Sequence, residues 1–513
     1  MLRRRVAGIV GGLMIGSLAF GGPLAKPAEA AWCKPAPALS NSWYTPKITY
    51  SNGATFGYYT IPIGAGNLSS YQTRVSVFKG SQANSKMTAT FAPLGTLGNQ
   101  RTFASSVPNL QTYVNTDYFV DGNRMPYSAI IHGGKMVYAP APGNPEDPTA
   151  KGYSGVLAWS EKTYSETAGF ALSAPLWSGA NKVSVSGVNI HAIPANSIVA
   201  FTPKAASKVL PRGAFAIQVT NGRIAATFLK GTTARPRVGF LFQATGTAVK
   251  SLKKFLNGKP AKYLMPALVE RSLVVDSVSP TGYVVVGTSR IKIRAINYQG
   301  SNNYGATLYD SNFAGSQVAG TAMFQTDESG TVNYVTRGSS HSGSLYGTSN
   351  HLTFQVASDQ AALVNQISVG QKLTVVQSFR ASSKNGISEA TGRGAFIVKD
   401  GVNVKECAGQ SEDIRPRTAI GWDANGNFWV VTTSMGNLPY SGYDDHLFRQ
   451  GGSTIHQIAD WLRLLGATSA VTFDGGGSTT QYITLNGALS RQDVPESQWL
   501  RDTPVGVAFS AAN

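Results

Sequence analysis

From Thr73 onward the chain alternates apolar and polar positions over short runs, in TRVSVFKG, then TYVNTDYFV, then SAIIHGGKMVYAP. Period-two alternation puts one face of a strand in the core and the other toward solvent, so these runs predict strands. His132-Gly133-Gly134, between two apolar runs, predicts a hairpin turn. Two longer stretches look like copies of each other: VSVSGVNIHAIPANSIVAFTP from Val183 and IKIRAINYQGSNNYGATLYD from Ile291. Each has an alternating run, an Asn (Asn189, Asn297), a polar turn and a strand ending on an aromatic (Phe201, Tyr309), with turns expected to differ by one residue. That pattern predicts a duplicated β-unit. Beyond Asp359, DQAALVNQI predicts a short helix and GQKLTVVQSF a strand. AFIVKDGVNV and AIGWDANGNFWVVTT predict hairpins turning at Asp400-Gly401 and Asn425-Gly426. Ile455, Ile458, Ala459, Leu462 and Leu465 follow helical spacing, with Ser453 or Thr454 placed to cap and Gly466 to terminate. The order at the C-terminal end is therefore helix, strand, DGGGSTT, strand.

Composition supports many strands and turns. The chain has 513 residues, 42% hydrophobic and 14% charged, with 56 glycines. This is enough apolar material for sizeable cores and too little charge for a largely disordered chain. The expected class is α+β: strand-rich mixed sheets with a few helices and a duplicated β-unit in the middle. The expected divisions are a leader over 1–30, an N-terminal strand and loop region over 31–110, a β-rich part with the internal repeat over 111–358, and a C-terminal part over 359–513.

The start, MLRRRVAGIVGGLMIGSLAFGGPLAKPAEAAWC, has a basic run at Arg3–Arg5, a short apolar stretch and an Ala28-Glu29-Ala30 cleavage pattern. It reads as a signal peptide, with Sec and Tat routes both open, and no later stretch is long and apolar enough to span a bilayer. The expected location is secreted or extracellular, with cell-wall association. The net charge is +18 and stays at +15 once four basic residues and one acidic residue leave with the leader. An exported basic chain attracts anionic envelope glycans. Nucleic acid is not the expected partner, because export and the lack of a dense basic helix argue against it. The only cysteines, Cys33 and Cys407, would meet an oxidising compartment and are expected to pair.

The densest chemistry lies in AVTFDGGGSTTQYITLNG, from Ala470 to Gly487. Gly475, Gly476 and Gly477 allow positive φ and close approach of backbone to a ligand. Successive amides in such a turn form an anion-binding concavity, and Ser478 and Thr479 add hydroxyl donors beside it. Asp474 at the strand end can move a proton, or hold a cation or a sugar hydroxyl. No lysine follows the glycines as a P-loop requires, and no nucleophile elbow surrounds Ser478.

These residues resemble the phosphodiester glycosidase family. The likeness rests on FDGGGSTTQYITLNG, the preceding helix HQIADWLRLLG, PRTAIG at Pro416–Gly421, and the late Arg501-Asp502-Thr503-Pro504-Val505. An early element, VNTDYFVDGNRMP, supplies Asn115 and Asp117, with Thr116 and Asp117 where the family carries Gly-Gly. GRGA at Gly392 likewise departs from the family's GGGP. The resemblance implies a phosphodiester glycosidase-like C-terminal part and hydrolysis of sugar-1-phosphodiesters, such as N-acetylglucosamine-1-phosphodiester or a phosphate-linked envelope polysaccharide. It implies Asp474 as the leading catalytic carboxylate; the usual mechanism needs a second, and Asp117, placed in the early element by the departure from the family pattern, is the candidate for it. Asn115, Arg417, Thr418, Thr454, Gly475–Gly477, Ser478, Thr479 and Arg501 would bind substrate and phosphate. Glu412, Asp413, Asp444 and Asp445 are further carboxylates that the sequence does not rank. His456 is expected to face solvent, and neither it nor His446 has metal-ligand spacing. No cofactor is required; a divalent cation held through Asp474 is left open. The competing reading is a non-catalytic module that binds anionic wall glycopolymers.

Overall fold

The computed structural model describes residues 45–62, 72–119, 124–140, 155–163, 170–205, 207–263, 269–299, 304–314, 322–338, 350–382, 386–405, 414–435, 452–493 and 501–512. The leader, Cys33, Cys407, Glu412, Asp413, Asp444, Asp445 and His446 lie outside them.

An eight-stranded antiparallel sheet forms the centre. It runs Ile48–Thr49, Thr55–Pro62, Gln72–Ser81, Asn427–Met435, Arg417–Trp422, Ser469–Thr472, Phe396–Lys399, Val402–Asn403. Neighbouring side chains on one strand face opposite ways, and both faces of the central strands are buried, so Val77-Phe78, Ala419-Ile420, Val430-Val431 and Ala470-Val471 are apolar at consecutive positions. Val75, Val77, Ala419, Val431 and Ala470 point to one side, where Ile458, Ala459, Trp461 and Leu462 of helix Ile455–Leu465 cover them. Each of the Val, Ile and Leu side chains among these contributes about 1.5–3 kcal/mol on full burial. Phe78, Ile420, Val430 and Val471 point to the other side and meet Met87, Val114, Ile483 and Val507. Those partners belong to a five-stranded sheet in the order Ala488–Arg491, Gln481–Leu485, Leu110–Asn115, Val505–Ala511, Ser85–Phe91. The strands between residues 48 and 91 are thus built into the same two sheets as the C-terminal strands.

The predicted helix is capped at Thr454, whose side chain accepts from Gln457 N while Gln457 answers back, and it ends on Gly466 at φ 104°. The hairpins form as expected. Gly133 and Gly134, and likewise Asp400 and Gly401, all take positive φ, which two-residue turns of that twist require.

A third, six-stranded sheet carries the duplication. Gly155–Thr163 pairs antiparallel with Val269–Pro280, which pairs with Phe379–Ala381. A seven-stranded unit spans each of the two connections, over 170–263 and 283–376. Numbered within the unit, both sheets have the strand order 5-4-6-3-2-1-7, with a parallel pair between strands 2 and 3 and a short helix after strand 6. Asn189 and Asn297 hold the same left-handed conformation, at φ 53° and 51°. Each side chain accepts from the amide after the next strand, Thr202 N at 2.8 Å and Asp310 N at 2.9 Å. Each Asn stands twelve residues before its aromatic, so the one-residue difference in turn length disappears. The second unit shares a core with the six-stranded sheet, whereas the first has apolar clusters of its own.

Candidate active site

The segment Asp474–Thr480 carries the chain from Ser469–Thr472 in the large sheet to Gln481–Leu485 in the small one. Asn115, at the end of a small-sheet strand, ties this crossing down. Its Nδ2 donates to the Asp474 carbonyl at 2.8 Å, and its Oδ1 accepts from Thr418 Oγ1 at 2.8 Å and Thr480 N at 3.2 Å. Asn115 and Thr418 are completely buried. The early element, PRTAIG and DGGGST therefore meet at one side chain.

Two glycines in the loop have identifiable jobs. A Cβ at Gly475 would stand 2.8 Å from the Pro416 carbonyl oxygen and 3.5 Å from Arg417 Cδ. Gly476 sits at φ 60° and opens a single 3-10 turn, Gly476–Ser478. The loop's amides are largely used within the chain: Gly475 N donates to Asp474 Oδ1, Gly476 N to Pro416 O, Ser478 N to Gly475 O and Thr479 N to Gly476 O. The side chains differ. Ser478 Oγ and Thr479 Oγ1 are buried with no hydrogen-bond partner among the described residues. Buried hydroxyls left without partners are costly, and a ligand oxygen would relieve both.

Asp474 is half-buried. Arg417 lies alongside Gly475 and its Nε donates to the Ser453 carbonyl at 3.3 Å. Asp117 is 1% exposed and takes φ 33°. Its Oδ1 accepts from Tyr118 N at 2.8 Å and Ser128 Oγ at 3.3 Å, and its Oδ2 from Ser128 N at 2.8 Å. Its carboxyl is pushed up to about 7: burial raises it most, the Ser128 and Tyr118 donors work against the rise, and the charge of Asp474 adds to it. The two carboxylates are thus close enough to feel each other. Gly392, first of the GRGA segment, sits against Asp117, where a Cβ would come within 2.1 Å of the carboxyl.

Arg501 is exposed, with its guanidinium 5.1 Å from the centre of the Phe119 ring. Gln100 Nε2 bridges the carbonyls of Arg501 at 2.8 Å and Ser478 at 3.3 Å, which places the late element beside the loop. Thr454 is completely buried and its hydroxyl is engaged as the helix cap. His456 is not turned to solvent: it is half-buried, 3.4 Å from Asp460 and 3.2 Å from Asn403. Gln100, Ser128, Gly392 and Ser453 were not marked as site residues by sequence; only the odd GRGA spelling hinted at one of them. Among the described residues, no three His, Cys, Asp or Glu side chains gather in a metal-holding group. A cavity of about 680 Å³ lined by Lys86, Phe91, His132 and Arg271 contains none of these site residues.

Residues 315–510 match the phosphodiester glycosidase family. That segment contains Arg417, Thr418, the Asp474–Thr479 loop and Arg501, while Asn115 and Asp117 reach it from outside. No curated protein matches the chain. A hypothetical protein from Synechocystis of solved structure is similar at 14% identity and a TM-score of 0.47, covering 92% of this chain. This chain spans 63% of that protein's length. The zebrafish N-acetylglucosamine-1-phosphodiester α-N-acetylglucosaminidase catalytic domain, auto-inhibited by its pro-peptide, is similar at 10% identity and a TM-score of 0.33, covering 90% of this chain and 86% of that one. Among the described residues, no helix is long and apolar enough to cross a membrane.

Proposed function

We propose that the protein hydrolyses sugar-1-phosphodiester bonds at the Asp474–Thr480 loop. One juxtaposition carries the reading: Asp474, Arg417 and two unpartnered buried hydroxyls lie together within a segment that matches a phosphodiester glycosidase family. In this account Arg417 and the Ser478 and Thr479 hydroxyls take the phosphate, since a guanidinium fork suits two oxygens. Arg501 guards the outer side. Water adds to the anomeric carbon, the bond from that carbon to the phosphate oxygen breaks, and a phosphate monoester leaves with the electron pair. Asp474 accepts the water proton and offsets the oxocarbenium-like charge. The phosphate is already a good leaving group, so no strong general acid is demanded.

Asp117 is given a different part from Asp474. Its oxygens are occupied by chain donors and it is nearly inaccessible, so it acts as a positioning residue. Held neutral below about 7, it leaves the site with one carboxylate charge, at Asp474, beside an anionic substrate. The basic chain and its leader-like start support export and a phosphate-linked envelope polysaccharide as the natural substrate. The test is sugar release from UDP-N-acetylglucosamine and a panel of sugar-1-phosphodiesters. Asp474→Asn is expected to lose at least about 100-fold in kcat, and Arg417→Ala to raise KM. Equal release by wild type and Asp474→Asn would overturn the assignment. Binding of wall polymer without release by wild type would favour a binding module.

A further inference from the structure

The charge of the chain is not spread evenly. Residues 170–263, the first β-unit, contain thirteen Lys and Arg and no Asp or Glu. The second unit, 283–376, has five basic and four acidic residues. Two copies of one scaffold thus carry +13 and +1, out of +18 for the whole chain. In the first unit every basic residue except Arg235 is exposed, and no carboxylate of its own offsets the field.

The same unit has a cleft of about 470 Å³ walled by Trp177, Phe240 and Tyr263. Trp177 is 37% exposed, and Lys182 Nζ stands 4.4 Å from the centre of its ring. Lys262 lies directly across from Trp177 on the paired strand, and Arg223 is bridged to Pro260 at the cleft edge. The Tyr263 hydroxyl is buried with no hydrogen-bond partner among the described residues. Its ring is held edge-on by Phe240 and Phe242 at 5.1 and 4.9 Å.

The second unit serves as an internal control. By strand register, Trp177, Lys262 and Tyr263 correspond to Val285, Thr374 and Val375, and Arg223 corresponds to Thr331. The scaffold therefore does not need these side chains to fold. An aromatic floor with cationic edges and an unsatisfied hydroxyl has the chemistry for a sugar ring flanked by phosphates.

We propose that the Trp177–Tyr263 cleft and its basic surround bind a phosphodiester-linked anionic polysaccharide, holding the polymer while the Asp474 site cleaves it. The choice of a glycan over other polyanions rests on the phosphodiester glycosidase reading of that site. A second point of attachment raises the local concentration of scissile bonds without touching the chemistry. Attraction of this kind weakens with salt.

The experiment uses the full chain and a purified polysaccharide with sugar-1-phosphodiester repeats, with dextran, polyphosphate and duplex DNA as comparison probes. Binding is measured for wild type, Trp177→Ala/Lys262→Glu, Asp474→Asn, and the second-unit control Arg290→Glu. Circular dichroism establishes that each variant is folded. The expected result is at least a tenfold rise in Kd for Trp177→Ala/Lys262→Glu and none for Arg290→Glu or Asp474→Asn. Trp177→Ala/Lys262→Glu should cleave a small soluble phosphodiester at the wild-type rate and the dilute polymer more slowly. Unchanged Kd in a folded Trp177→Ala/Lys262→Glu variant overturns the proposal. So does polyphosphate or DNA binding as tightly as the polysaccharide at equal salt, the latter pointing to nucleic acid instead. Polymer binding that depends on the cleft, without cleavage of any substrate, would instead overturn only the hydrolase reading.

Discussion

Asn115→Ala tests how the loop is held. Its side chain satisfies the Asp474 carbonyl, the Thr418 hydroxyl and the Thr480 amide. The Thr418 hydroxyl and the Thr480 amide lie where water does not reach easily, since Asn115, Thr418 and Thr480 are completely buried; Asp474 is half-buried. Each buried group left unsatisfied costs about 1–3 kcal/mol. The Thr418 hydroxyl can rotate toward another acceptor, so the total expected is about 2–5 kcal/mol rather than the full sum. Hydrogen exchange of the peptide covering 474–481 reads this locally, and a loss of about 2 kcal/mol speeds its exchange roughly 30-fold. Losing the tie also frees Asp474, and a displacement of about 1 Å costs about 100-fold in rate. Exchange and kcat/KM both within about threefold of wild type, a change below about 1 kcal/mol, would refute the view that Asn115 joins the three motifs.

Asp117→Asn removes the group whose ionisation is pushed up to about 7. In wild type, kcat/KM should fall as pH rises through about 7, when a second negative charge appears beside the phosphate; the variant should lack that limb. Stability carries the same sign. A raised carboxyl leaves the folded state holding a proton that the unfolded state has lost, so wild type should lose stability as pH climbs from about 4 toward 7, and denaturant titrations of the variant should show less of that slope. Thr454→Ala should cost about 1 kcal/mol, within the range for a lost helix cap, with sugar release unchanged; a loss of activity alone would restore Thr454 to the substrate site. Arg417→Lys keeps the charge but loses the fork and the bond to Ser453, so KM should rise by roughly tenfold with a smaller change in kcat.

Much of the fold was visible because its signals are local. The capping Thr454 and terminating Gly466 bound a helix whose apolar positions repeat on one face. The hairpin at Asp400-Gly401 is written in residues that tolerate positive φ. The duplication showed through Asn189 and Asn297, because each must adopt a left-handed turn and bond the next strand. Asp474, Arg417 and Asn115 stood out in short motifs, and the structure adds only how they are joined. Gln100 and Ser128 had no comparable signal, and Gly392 showed only through the GRGA spelling. Gln100 meets Ser478 across 378 residues of chain, and nothing around a lone Gln announces such a contact. The anion-binding role expected for the loop amides was also beyond local reading, since Pro416, distant in sequence, takes the Gly476 amide. Net charge taken over the whole chain concealed that +13 of it lies on one β-unit.

The central claim is that this site is built for a sugar joined to phosphate. Purified protein should be given one sugar as its 1-phosphodiester and the same sugar as an aryl glycoside of equal leaving-group acidity, with product release followed for both. The account predicts release from the phosphodiester alone, because Arg417, Ser478 and Thr479 have no phosphate to hold in the other. Comparable release from both substrates would contradict it.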